Sequence, residues 1–176
     1  LKYGNDDSAP LTYSSYGVIL SSLLGDIEMG YQFGELALKL LEHSAVIPKV
    51  EAEVIYITYG LNKPWKHHLN ESSSFLLRNY HRALATGEHE CAAWSILTYL
   101  RNTRSVGMEL AENAQQHMTY IKALETTQKR AVLNYGYPSY RFTLRLLDDG
   151  ATLARLDQQR QRHDCLVAQL TEADDR

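Results

Sequence analysis

Apolar side chains recur along this chain every three to four positions, and almost nowhere at every second one. The stretch from Leu24 to Leu41 shows this best. Gly25-Asp26 breaks an apolar run, and then Phe33, Leu36 and Leu40 fall at i, i+3 and i+7, with Ala37 and Leu41 beside them. That spacing defines one face of a helix. Gly25 suits the left-handed position that closes a helix, and Asp26 suits the N-cap of the next one.

The same logic carries through most of the chain. It predicts helices over about 9–24, 27–43 and 48–61. The first carries Val18, Ile19, Leu20, Leu23 and Leu24 as its apolar set. Val54 to Tyr59 is β-branched and aromatic, yet it lacks clean alternation and no hairpin turn follows, so helix is the better reading. Asn62 to Trp65 reads as a connector, with Pro64 opening or preceding a fourth helix that ends near Thr86. Gly87-Glu88 repeats the turn of Gly25-Asp26, a fifth helix spans about 88–105, and Gly107 precedes a sixth over about 108–126. A further helix begins near Gln128. Gly136-Tyr137-Pro138 reads as an interruption, and Asp148-Asp149-Gly150 as a stop.

First helices of successive pairs start about 40 residues apart, a period of helical-pair repeats. Small residues recur where helices would approach: Gly34 and Ala37, Ala83 and Ala85, Ala111 and Ala114. One hairpin cannot bury its apolar face alone, but stacked hairpins can. The expected fold is all-α: antiparallel helical hairpins stacked as a tetratricopeptide-like superhelix of about seven or eight helices. The helical-repeat domain covers 1–150, with hairpins at about 9–44, 48–86 and 88–126 and a further helix at about 128–149. Residues 151–176 read as a C-terminal helix and acidic tail, capping or linking. A compact bundle of the same helices is the alternative.

Composition narrows the functional classes. Of 176 residues, 44% are hydrophobic, which suits a globular domain. A formal net charge of −3 gives no electrostatic reason to expect nucleic acid. No apolar run approaches the ~18 residues of a membrane span. The chain starts at Leu1 without a basic leader and signal core, and reads as an excised fragment with natural neighbours. Cys91 and Cys165 are far apart and form no CxxC pair, which fits two reduced thiols in the cytoplasm.

Several stretches resemble a known region. Leu1-Lys2-Tyr3-Gly4-Asn5, Tyr16-Gly17-Val18-Ile19-Leu20 and Leu24 to Leu38 are similar to the helical-repeat region of large bacterial signalling ATPases of the STAND/AAA type. So are the connector Lys63-Pro64-Trp65-Lys66-His67-His68-Leu69 and the turn Thr86-Gly87-Glu88-His89-Glu90-Cys91-Ala92-Ala93. The resemblance covers about 1–124. Such proteins join a serine/threonine kinase-like domain, an ATPase, tetratricopeptide-like helices, GAF domains and a histidine-kinase or cyclase output. It implies a non-catalytic arm that contacts a protein or peptide partner, or the adjacent ATPase and output domains.

Catalytic patterns are absent from the sequence. There is no GxxxxGK[ST] loop, no HExxH and no GxSxG. Gly30 and Gly34 are four apart in a helix and suit close packing better than phosphate. The seven histidines show no ligand spacing, so neither metal nor cofactor is expected. Glu51 with Glu53, and Glu88 with Glu90, sit where negative charge favours a helix N-terminus. Cys91 lies early in a helix, where a thiol pKa can fall, though a buried structural thiol is the commoner case.

Aromatics remain. Twelve tyrosines stand against three phenylalanines and two tryptophans. In stacked hairpins the first helices line the concave face. They carry Tyr13, Tyr16, Tyr56, Tyr59, Trp94 and Tyr99, with Arg101 and Asn102 nearby, and aromatic and Arg side chains are the usual anchors of interfaces. The expected function is therefore a protein-interaction and regulatory scaffold. The alternatives are a small-molecule or peptide sensor with a Tyr/Trp-lined groove, and self-association as a homodimer.

Overall fold

The computed structural model describes residues 6–43, 47–125 and 130–147, together with 151, 154 and 158. The described chain is helical throughout: α1 (Ala9–Ser22), α2 (Ile27–His43), α3 (Pro48–Ile57), α4 (Leu69–Ala85), α5 (His89–Ser105), α6 (Leu110–Glu125) and α7 (Arg130–Leu146). Strands are absent among the described residues. The all-α expectation of about seven or eight helices is met. The expected C-terminal helix and acidic tail, and the stop at 148–150, lie almost wholly outside the described residues.

Turn chemistry explains why the helices end where they do. Gly25, Gly87 and Gly107 hold φ of +74°, +81° and +96°, which side-chain-bearing residues rarely adopt. At Gly87 the Glu88 amide donates to the Ala83 carbonyl (2.8 Å) and the Gly87 amide to Leu84 (3.2 Å), the paired bonds of a Schellman turn. Asp26 caps α2, its carboxylate accepting from the Met29 amide at 3.0 Å.

The segment after α3 departs from expectation. It continues as a π-turn (Thr58–Asn62) and a short 3₁₀ turn (Lys63–Trp65), and α4 begins at Leu69 rather than near Pro64. His68 caps α4 instead, its Nδ1 accepting from the Asn70 amide at 3.2 Å. The wider turn carries Asn62 inward, where it is 1% exposed and its amide donates to the Ser14 carbonyl of α1 at 3.0 Å. The connector then straps α2 from outside. Lys63 pairs with Glu35 and Lys66 with Glu28, each at 2.6 Å, while His67 stacks on Tyr31 at 5.3 Å.

Packing is most extensive between α1 and α2, then α4 and α5, then α6 and α7, with α3 bridging the first two pairs. The main core lies around α5, where Ala92, Ala93, Ile96 and Leu100 are fully buried against Ala83, Tyr80 and Val132. Buried asparagines tie neighbouring helices: Asn79 Nδ2 donates to the Ala52 carbonyl of α3 at 2.9 Å, and Asn113 Nδ2 to the Leu100 carbonyl of α5 at 3.0 Å. Each amide nitrogen finds a main-chain acceptor, whereas the Asn79 Oδ1 is buried without a hydrogen-bond partner and adds a cost.

The first hairpin reverses the apolar assignment. α1 and α2 approach most closely where Gly17 and Gly30 face each other's backbone beside Ser21, while Ser14, Gly34 and Ala37 are also buried, Gly34 against Asn62 and Thr58. Of the apolar set expected to bury α1, only Leu20 does so; Ile19, Leu23 and Leu24 are exposed. On α2, Leu36 is 40% exposed. Small side chains let the two backbones approach closely, and large ones cannot follow them in.

α7 runs unbroken through Gly136-Tyr137-Pro138, contrary to the expected interruption. Gly136 is buried against Leu97, and Pro138 faces solvent. Tertiary packing of Val132, Tyr140 and Leu144 holds a helix that its own proline weakens. Pro138→Ala is therefore expected to stabilise the protein by about 1–3 kcal/mol in thermal or urea unfolding. An unchanged or lower midpoint would show that the proline adds no local strain.

Candidate functional site

A solvent-open groove of about 420 Å³ lies between α3 and the start of α5. Lys49, Glu53, Tyr56 and Ile57 project from one face of α3, at i, i+4, i+7 and i+8. The α4–α5 turn contributes Gly87 to Glu90, and α5 contributes Cys91 and Trp94. The left-handed Gly87 sets the angle at which Glu88, His89 and Glu90 meet α3. Three carboxylates and one ammonium thus share the groove's lining with Tyr56 and Trp94.

The walls are held from behind. Tyr56 is half-buried, hydrogen-bonds Thr98 and sits near Arg101; burial pushes its hydroxyl pKa up, so it stays a neutral phenol. Trp94 meets Tyr135 of α7 edge to face at 5.1 Å between ring centroids. Burial pushes the Cys91 thiol up to about 12, with Glu53 and Glu88 adding to the shift against Asn79 and Ser95. A thiol so far from ionisation is a packing group, and early placement in a helix does not activate it.

The other residues singled out from sequence fall elsewhere. Tyr13 and Tyr16 pack on Phe33 at 5.9 and 5.0 Å, on the first hairpin. Tyr59 stacks flat on Phe75 at 4.0 Å with the Lys63 ammonium 5.0 Å from its ring. Tyr99 is half-buried against the main core, and Arg101 is exposed. Asn102 is 1% exposed, so it is a core residue that no partner reaches in this fold, a correction to its expected contact role. The eight do not form one surface; Tyr56 and Trp94 alone share the groove.

Sequence reasoning passed over the groove's charges. Glu53, Glu88 and Glu90 were accounted for by helix termini, and nothing local brings residue 53 to residue 88. The partner of Glu53 in that reading, Glu51, turns away and pairs with Arg82 at 2.7 Å.

A second polar cluster has the outline of a catalytic arrangement. His117 Nε2 lies 3.1 Å from Ser139 Oγ, and Nδ1 lies 2.9 Å from the Asn113 carbonyl. Nucleophile, base and orienting acceptor would need that order. However, Arg104 Nη1 donates to Ser139 Oγ at 3.2 Å, to the Ser139 carbonyl at 3.0 Å and to Thr143 Oγ1 at 3.0 Å. His117 is fully buried, and burial pulls its pKa down to about 4, which makes it a weak base. The cluster joins α5, α6 and α7 rather than facing a substrate. No group of three His, Cys, Asp or Glu side chains able to hold a metal converges among the described residues. No helix among them is long and apolar enough to cross a membrane.

Fold and groove together define an all-helical array with an aromatic, acidic cleft. Comparison with family models, curated proteins and solved structures gives no match.

Proposed function

We propose that this chain is a non-catalytic interaction module whose groove takes a short segment of a partner protein carrying Arg or Lys. The observation that supports it is that Tyr56 and Trp94, from separate helices, line one groove with Glu53, Glu88 and Glu90, three carboxylates against the single ammonium of Lys49. A guanidinium or ammonium would lie over the rings with carboxylates at its edge, combining ring–cation attraction with charge pairing. A volume of about 420 Å³ also falls within the range of small-ligand sites, which keeps a sensor role as the second reading. The charged, solvent-open walls favour the peptide.

Trp94 provides the test. In a Trp65→Phe background it is the sole tryptophan. Arg-rich peptides are expected to shift its emission saturably, and acidic peptides are not. Glu53→Gln with Glu88→Gln is expected to weaken binding about tenfold. Equal responses to acidic and basic peptides, or none to either, would count against the groove as a cation site.

The resemblance noted from Leu1 to Leu124 supports placing the module beside a signalling ATPase in bacteria. Partner binding would there shift hairpin packing and bias the neighbouring domain. An ATPase and output unaffected by deletion of this region would remove that context and leave the groove reading intact.

A further inference from the structure

We propose that the partner segment held by the groove is bipolar: its Arg or Lys sits among Glu53, Glu88 and Glu90, and an Asp or Glu about five residues away meets Arg101 near the far end of α5. The inference rests on the groove being a cation site. Along α5, Glu90, Trp94 and Arg101 fall at i, i+4 and i+11, which places them on one side of the helix. Between Trp94 and Arg101 lies Thr98, which is 6% exposed and hydrogen-bonds Tyr56, so α3 borders this run. Beyond Tyr56 the line of α3 continues to Gly60, which raises no side chain and lies against the Tyr56 ring and the Thr98 methyl. On the opposite flank is α7, whose Tyr135 makes the edge contact with Trp94. The floor of the groove thus continues past Trp94 toward Arg101.

The two ends of this run differ in charge. At the groove, three carboxylates face the one ammonium of Lys49. At the other end stand Arg101 and Arg104. Arg101 is exposed, and it lies close enough to Tyr56 and to Arg104 to act on both electrostatically. Arg104 hydrogen-bonds only neutral oxygens, those of Ser139 and Thr143. Neither guanidinium has a carboxylate in ion-pair contact among the described residues. The two arginines repel each other, and an incoming carboxylate would relieve both. The dipole of α5 favours the same polarity, acids at its start and bases toward its end. Glu90 and Arg101 are eleven residues apart, or about 17 Å along the helix. An extended chain covers that length in about five residues. A segment with a basic and an acidic side chain so spaced matches both ends, whereas one carrying bases alone meets repulsion at Arg101.

Amidated peptides of the form Arg-Gly-Gly-Gly-Gly-X, read by Trp94 emission in the Trp65→Phe chain, test this. The peptide ending in Glu is expected to bind about threefold tighter than the one ending in Gln. Arg101→Gln should abolish that difference. Arg101→Glu should reverse it, so that a peptide ending in Arg binds best, and a reversal of preference is not an effect of disturbed packing. Arg101 is exposed, so circular dichroism should be unchanged in both variants. Equal affinity for the Glu and Gln peptides overturns the proposal and leaves the cation site standing, whereas no emission change with any peptide removes both. A preference for Glu that survives Arg101→Gln also overturns it, because the carboxylate would then be meeting another cation, Lys49 foremost.

Discussion

Gly30→Ala is expected to lower the melting temperature by roughly 6–12 °C, the equivalent of about 3 kcal/mol for a chain of this size. A Cβ on Gly30 would lie 2.6 Å from the Gly17 carbonyl oxygen and 2.9 Å from the Ser21 Cβ. A Cβ on Gly17 would lie 2.6 Å from the Gly30 carbonyl oxygen. Each glycine thus faces the other's backbone, and a backbone oxygen cannot rotate aside as a side chain can. The hairpin has to open, and opening it forfeits the contact with Ser21 and disturbs Asn62 beside Gly17 as well. Gly25→Ala is the comparison. Nothing lies within 4 Å of a Cβ there, but φ is +74°, so its cost is the conformational one alone, about 1–2 kcal/mol. Gly34→Ala should fall between, since its Cβ would meet the Asn62 amide at 3.2 Å and the Asn62 Cβ and a Thr58 methyl at 3.3 Å, tight contacts with side chains that need give only a few tenths of an ångström. A Gly30→Ala protein melting within a degree of wild type would show that the backbones are not held so close.

Acidification is the second large effect. The pKa of His117 falls from 6.5 to about 4, chiefly because its ring is buried; the Arg104 guanidinium adds to the shift, and the bond to the Asn113 carbonyl opposes it. The folded state therefore disfavours the proton that the unfolded chain takes up below about pH 6.5. Stability from this group is complete above that pH and is lost as pH falls toward 4. Between pH 7.5 and pH 4.5 the loss is expected to be about 2.5 kcal/mol, read from urea unfolding at each pH. The Asn113–His117–Ser139–Arg104 cluster is where the loss originates, so the α5–α6–α7 end should loosen first. In His117→Gln, which keeps a polar side chain without the titration, the slope between pH 6.5 and 4.5 should flatten. A slope equally steep in that variant would assign the acid sensitivity to other groups.

Helix positions were legible because their causes are local. The α2 bounds follow from Gly25-Asp26 and the periodicity after it, and Gly87 and Gly107 end their helices by the same chemistry. The π-turn after α3 was not legible. It depends on Asn62 reaching the Ser14 carbonyl, a contact 48 residues away. Nor was the continuity of α7, since Pro138 argues locally for a break and only the packing of its buried side opposes it. In the groove, Tyr56 and Trp94 were readable as aromatic anchors. Their convergence with Glu53 and Glu88 was not, because α3 and α5 meet only once α4 has turned the chain back.

Sequence alone settled the class of element and the glycine turns at Gly25, Gly87 and Gly107, because three-to-four-residue spacing and left-handed glycines act within a turn or two of chain. Tertiary structure decided which side of each helix faces inward. Along α1 and α2 a stripe of small residues and a stripe of large apolar ones compete, and periodicity serves both equally. Backbone approach between Gly17 and Gly30 favours the small stripe, and that one choice sends Ile19, Leu23 and Leu24 to the surface.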